Sequence, residues 1–248
     1  MTNRSTSTIL KAAFALAVGV VTIWSFEVPD AEGFQFPALA RIFFWHFPCP
    51  MIATTLLFLG AWFSYRYIKT GDLKADVRAI ASMELGYLFC ILTMLTGIVF
   101  SQAQWGSWWQ NDPRQTSFLM VLLIYAAYFA LRTALADEHR RAANSAIYAL
   151  SALLPVLFLI FVFPRLPQVQ SFHPNTSIMG GQIKGPYAYV VTAVLALVTV
   201  LTVWLYRLRV KVGLLELLVE DKNDGLETAG GHTPAAPVVR PVRVSRDR

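Results

Sequence analysis

Six apolar blocks, each about as long as a bilayer requires, constrain this chain more than any other feature. They run at about Ile9–Phe26, Ile42–Tyr65, Ser82–Phe100, Ser117–Leu135, Ala142–Phe163 and Tyr187–Tyr206. A helix rises about 1.5 Å per residue, so roughly 20 apolar residues cross the hydrocarbon core. Backbone N–H and C=O groups in lipid need partners inside the protein, and blocks this long without period-2 alternation find them as helices rather than barrel strands. Only 15% of the residues are charged, against roughly a quarter in a soluble domain. The expectation is an all-α, polytopic membrane protein with six transmembrane helices. Residues 1–210 would form the membrane domain and residues 211–248 a largely disordered tail, rich in Gly, Pro, Thr and scattered charge from Asp221 onward.

The distribution of Lys and Arg sets the expected orientation. Arg4 and Lys11, then Arg66, Lys69, Lys74 and Arg78, then Arg132, Arg140 and Arg141, and the basic residues of the tail all fall on one side. The other side has Arg41, Arg114, Arg165 and Lys184. Both termini are therefore expected in the cytoplasm, with the loops at Glu27–Ala40 and Pro164–Pro186 and the tryptophan-rich loop from Trp105 to Thr116 facing outward. The first apolar block follows Arg4 and Lys11 as a signal peptide would. It is read as a retained span, because its removal would turn the charge bias around. The net charge of +6 reflects this inside bias and gives no reason to expect nucleic acid. Cys49 and Cys90 form no Cys-x-x-Cys motif and read as packing residues. Lys211–Glu220 is a short amphipathic run that reads as an extension of the last helix.

The outward loop before the fourth span holds Trp105-Gly106-Ser107-Trp108-Trp109-Gln110-Asn111-Asp112-Pro113-Arg114-Gln115-Thr116, with three of the seven tryptophans in five positions. Such a cluster is either an interfacial aromatic belt or a platform for a broad planar ligand. A helical segment would put Trp105, Trp108 and Trp109 on one face. Asp112-Pro113-Arg114-Gln115 reads as a capping box, with Asp112 at the N-cap, Pro113 at N1 and Gln115 at N3. Gly106 would permit a tight bend or a close approach. Of the four histidines, His139 and His232 fall on the inner side. His46 and His173 fall on the outer side with the tryptophans. Each alone reads as an interfacial hydrogen-bonding residue. Together, two neutral imidazoles suit the two axial positions of a haem iron. The tryptophans would cover the porphyrin edge, and Arg41 and Arg114 would pair with its propionates.

The tryptophan segment resembles the signature of the haem-handling proteins of cytochrome c biogenesis. Arg41-Ile42-Phe43-Phe44-Trp45-His46-Phe47-Pro48 and Phe172-His173-Pro174 resemble the segments that carry that group's two outward haem-ligating histidines. Three such segments in this order among six spans are similar to the CcmC-type haem exporter family, over roughly Arg4 to Arg209. Asn111 stands where the family often has Trp, so one ring of the platform is absent. Synthetase-type relatives have further histidines within their spans, whereas here no histidine beyond the outward pair is expected inside a helix.

The resemblance implies haem b as the delivered ligand, with His46 and His173 as axial ligands to its iron. Trp105, Trp108, Trp109, Gly106, Asp112, Arg41 and Arg114 would line its site. It also implies a protein of the inner membrane that presents haem to a periplasmic haem chaperone, whose nucleophile reaches a vinyl group. Partners would be ATP-binding-cassette transporter subunits of cytochrome c maturation and a small membrane subunit. The activity would be haem transfer rather than conventional catalysis. Two other readings remain open. A cytochrome b-like electron-transfer subunit usually ligates haem between spans at matched depth. A small-solute transporter usually carries charge near the membrane midplane. Glu84 is the main acid within a span and reads as a solvated helix-start charge, while Thr96 and Gly97 read as ordinary helix-packing residues.

Overall fold

The computed structural model describes residues 4–30, 34–173 and 184–229, and those residues contain no strand. The helices are α1 (Arg4–Glu27), α2 (Phe43–His46), α3 (Pro48–Thr70), α4 (Leu73–Trp105), α5 (Pro113–Thr133), α6 (Glu138–Leu157) and α7 (Gly185–Ala229). A 3-10 turn at Pro37–Ile42 leads into α2, a single helical turn that continues through Phe47 into α3. Six stretches are long and apolar enough to cross a membrane: Thr8–Glu27, Pro37–Thr70, Leu73–Trp105, Pro113–Thr133, Glu138–Arg165 and Gly185–Asn223. They coincide with the six blocks read from sequence. The chain is an all-helical membrane protein.

The core lies among α3, α4, α5 and α6, where Leu56, Leu57, Met83, Phe89, Val121, Tyr125 and Tyr128 are buried together. In lipid, helices gain little by burying apolar area, so close packing of small residues decides where they meet. Here Gly60 lies against Met83, and Gly86 lies against Leu57. A Cβ on either glycine would come within 2.7 Å of Met83 Cε or 2.9 Å of Leu57 Cδ2. Cys49 and Cys90 are buried in this core, and the Cys49 thiol donates to the Trp45 carbonyl. Both act as packing residues.

Ion pairs tie the end of the bundle that holds the α3–α4 turn. Arg132 in the last turn of α5 makes a bidentate contact to Asp76 in the first turn of α4, at 2.9 and 2.5 Å. Glu84 is not the helix-start charge expected from sequence. Helix α4 begins at Leu73, three turns earlier, and Glu84 accepts two hydrogen bonds from Arg209 of α7, at 2.6 and 3.0 Å. The early start reflects capping, because Asp72 accepts from the Lys74 N–H and supplies an N-cap well before the apolar block begins.

Helix α6 ends in a way that shapes the following loop. Pro155 removes a backbone donor within the helix. The chain then widens into a π turn at Phe158–Val162 and tightens into a 3-10 turn at Phe163–Arg165. The Arg165 guanidinium donates to the carbonyls of Ile160 and Phe161, two of the acceptors a helix end leaves open. At the other end of the chain, α7 runs without a break through Lys211–Glu220 to Ala229. Residues 221–229, expected to be irregular, are therefore helical. His232 and the rest of the expected disordered tail lie outside the described residues, as do Pro174 and Asn175 of the histidine segment.

Candidate functional site

Three chain segments converge at the end of the bundle opposite those ion pairs. The first is the connection between α1 and α3. Its attachment point is Gln104, buried near the end of α4. The Gln104 amide accepts from the Phe36 N–H at 3.1 Å and donates to the Phe36 carbonyl at 2.9 Å, as a neighbouring β-strand would. Arg41 clamps the same connection, donating to the Asp30 carboxylate at 2.6 Å and to the Ser25 carbonyl at 2.8 Å. A Gln104→Ala variant leaves both Phe36 backbone groups without this partner, at a cost of about 1–2 kcal/mol. It is expected to speed amide exchange around Phe36 about tenfold, read by hydrogen-exchange mass spectrometry. Unchanged exchange there would show that the loop is held by other contacts.

The second segment is the tryptophan-rich loop, and it is not the helical face considered from sequence. Helix α4 stops at Trp105 because Gly106 takes φ +77°, a left-handed conformation suited to glycine, and its N–H closes the last turn on the Gln102 carbonyl. Gly106 therefore acts through its backbone. Trp105 faces inward as the last helical residue, whereas Trp108 and Trp109 are exposed on the loop beyond. Trp105 packs edge-on against His173, with ring centroids 4.8 Å apart, and against Phe100 at 5.6 Å. Asn111 also takes a positive φ, +54°, which asparagine tolerates better than a bulky aromatic does. Its side chain accepts from the Trp109 indole N–H at 2.7 Å. Asn111 thus turns the backbone and holds a neighbouring tryptophan.

The capping box is present in part. Asp112 is the N-cap of α5 and accepts from the Arg114 N–H at 2.9 Å. Gln115 reaches back past it, accepting from the Gln110 N–H at 3.1 Å. Asp112 also holds the third segment, which was not legible from sequence. Its carboxylate accepts from the Ser171 hydroxyl and the Phe172 N–H, each at 2.8 Å, and contacts His173 Nδ1 at 3.2 Å. Burial alone would raise this carboxyl's pKa. The hydrogen bond and charge of His173, with the bonds from Ser171 and Arg114, outweigh burial and hold it well below the usual carboxylate range. An ionised carboxylate can only accept, so His173 donates to it from Nδ1, and Nε2 is the ring nitrogen turned away from this contact.

His46, at the end of α2, lies against α4. Its Nδ1 is 2.8 Å from the Thr96 hydroxyl, and its Cε1 would be 3.1 Å from a Cβ built on Gly97. Thr96 and Gly97 are thus part of the histidine's surroundings rather than general helix packing. Phe100, one turn further along α4, has a ring near both imidazoles and close to parallel with each. The centroids are 6.1 Å from His46, tilted 14°, and 6.5 Å from His173, tilted 24°. The bundle therefore brings His46, His173, Trp105 and Phe100 into one cluster. Trp108 and Trp109 lie on the loop beside it. Arg114 is partly buried in the first turn of α5, next to Asp112, and Arg41 is engaged by Asp30. Thr96, Phe100 and Gln104 were not identified from sequence. They fall at i, i+4 and i+8 along one side of α4, a face that Trp105 does not share, so the spacing of the tryptophans does not lead to them.

A family model described as "CcmC: Heme exporter protein C" matches residues 1–219. Among curated proteins, the heme exporter protein C of Paracoccus denitrificans is 31% identical over 120 residues, 48% of this chain and 48% of that one. The heme exporter protein C of Haemophilus influenzae is 26% identical over 147 residues, 56% of this chain and 57% of its own. The cytochrome c biogenesis protein CcsA of Spinacia oleracea is 34% identical over 79 residues, covering 32% of this chain and 24% of that protein. The chain spans about half the length of the heme exporter proteins it matches.

Proposed function

Because this chain belongs to the CcmC family of heme exporter proteins, we propose that it holds haem b at the outer face of the inner membrane and delivers it for cytochrome c maturation. The observation that carries this reading is the meeting of two imidazoles from separate elements in one aromatic cluster, the Nδ1 of each held by the protein. Histidine ligands to metals characteristically have the second ring nitrogen held in this way, which fixes the ring and raises ligand basicity. His46 and His173 are the axial ligands in this reading, and the iron supplies the bond that retains the cargo. Trp105 backs His173, while Trp108 and Trp109 cover the porphyrin edge.

Arg114 and Arg41 pair with the propionates, for which a guanidinium fork is well matched. Arg41 already binds one carboxylate, that of Asp30, so a propionate would compete for it. Asp112 and Gly106 contribute by holding the histidine loop and ending α4. The charge bias supports cytoplasmic termini and an outward site. A periplasmic haem chaperone would approach the exposed tryptophan loop, with ATP-binding-cassette subunits and a small membrane subunit as further partners. Haem loading provides the test. Purified wild-type protein is expected to give a low-spin, bis-imidazole absorption spectrum, with His46→Ala and His173→Ala each weakening haem binding and shifting the spectrum toward high spin. Unchanged low-spin haem in both variants would overturn the ligand assignment.

A further inference from the structure

The geometry points to Thr96 as the positioning residue that sets which nitrogen of His46 faces a ligand. Thr96 has one hydroxyl proton, and its Oγ1 lies 2.6 Å from the Leu92 carbonyl one turn back along α4. A carbonyl only accepts, so that proton is committed to Leu92. The hydroxyl can then meet His46 Nδ1 at 2.8 Å only as an acceptor. Nδ1 therefore carries the imidazole proton, and Nε2 is left with its lone pair.

The surrounding groups keep this contact in register. Gly97 leaves the imidazole close against the helix, where a Cβ would stand 3.1 Å from Cε1. Phe100, on the same face of α4 as Thr96, flanks the ring nearly in parallel. The Cys49 thiol on the adjoining turn is turned away, donating to the Trp45 carbonyl. A threonine hydroxyl thus does for His46 what the Asp112 carboxylate does for His173, and the two histidines present the same nitrogen by different means. The Asp112 contact has an ionised acceptor, while the Thr96 contact is neutral.

The inference rests on His46 being a haem ligand, and the two can be tested apart. In ligand-free protein with labelled histidine, nitrogen NMR is expected to show His46 protonated at Nδ1. Thr96→Val, which keeps the shape and removes the hydroxyl, is expected to give a mixture of tautomers. It should also weaken haem binding about tenfold, and Thr96→Ser is expected to restore both properties. A purely structural role would lower thermal stability without moving the tautomer. Wild-type His46 protonated at Nε2, or a Thr96→Val variant with wild-type tautomer and affinity, would overturn the inference. If His46→Ala loses the low-spin spectrum while Thr96→Val matches wild type, only this inference fails. If His46→Ala binds haem as wild type does, the ligand reading fails and the inference fails with it.

Discussion

Asp112→Ser is expected to bind haem about 10- to 100-fold more weakly than wild type, with little loss of helix stability. The substitution separates two roles carried by one side chain. Serine is a good N-cap, and its short hydroxyl can still accept from the Arg114 N–H that Asp112 now holds at 2.9 Å. It cannot also reach Ser171, the Phe172 N–H and His173, which the carboxylate holds at 2.8, 2.8 and 3.2 Å. The segment carrying His173 then loses its anchor, and the imidazole loses the acceptor that fixes its proton. Asp112→Ala should lose the cap as well, about 1 kcal/mol more. The spectrum is the deciding readout. With His46 intact, Asp112→Ser should give haem with high-spin character, approaching that of His173→Ala. A variant that keeps wild-type affinity and a low-spin spectrum would show that Asp112 is a cap and nothing more.

The same residue shows where sequence stops being informative. The N-cap role of Asp112 is legible because capping is local: Asp-Pro-Arg-Gln carries its own geometry within four positions. Its contacts to Ser171, Phe172 and His173 are 59 to 61 residues away in the chain, and no local pattern encodes them. The six spans are legible for a related reason, since the thickness of the bilayer imposes one length on every block. Helix ends are less so. Gly106 could have signalled the end of α4 at Trp105, and the i, i+3, i+4 spacing of the tryptophans competed with that signal. Asp72 started α4 early and moved Glu84 from a helix start to a pairing position against Arg209. The Gly and charge content beyond Asp221 suggested irregular chain, yet α7 continues to Ala229. Composition reports what a segment can bury by itself, and a long helix already nucleated upstream extends at little further cost.

Asp76→Ala is expected to cost about 3 kcal/mol of stability and to lower the thermal midpoint in detergent. Most of that loss should be recovered by the double variant Asp76→Leu/Arg132→Met. The pair is inside the protein, with side-chain exposures of 12% for Arg132 and 9% for Asp76, and its geometry is bidentate. Removing one member of a buried pair leaves the other as an uncompensated charge, at about 3–5 kcal/mol. Arg132 lies in the last turn of α5, so its long stem can carry the guanidinium partly toward water, which favours the lower end of that range. Each charge also sits at the helix end whose dipole it complements, an added few tenths to one kcal/mol for Asp76 in the first turn of α4. The Glu84–Arg209 pair gives the contrast. Its side chains are 37% exposed for Glu84 and 35% for Arg209 and can be solvated separately, so Glu84→Gln is expected to cost less than about 1 kcal/mol. If the Asp76→Leu/Arg132→Met double variant melts as low as Asp76→Ala alone, an uncompensated charge is not the cause. The stability would then come from the packing of these side chains between α4 and α5.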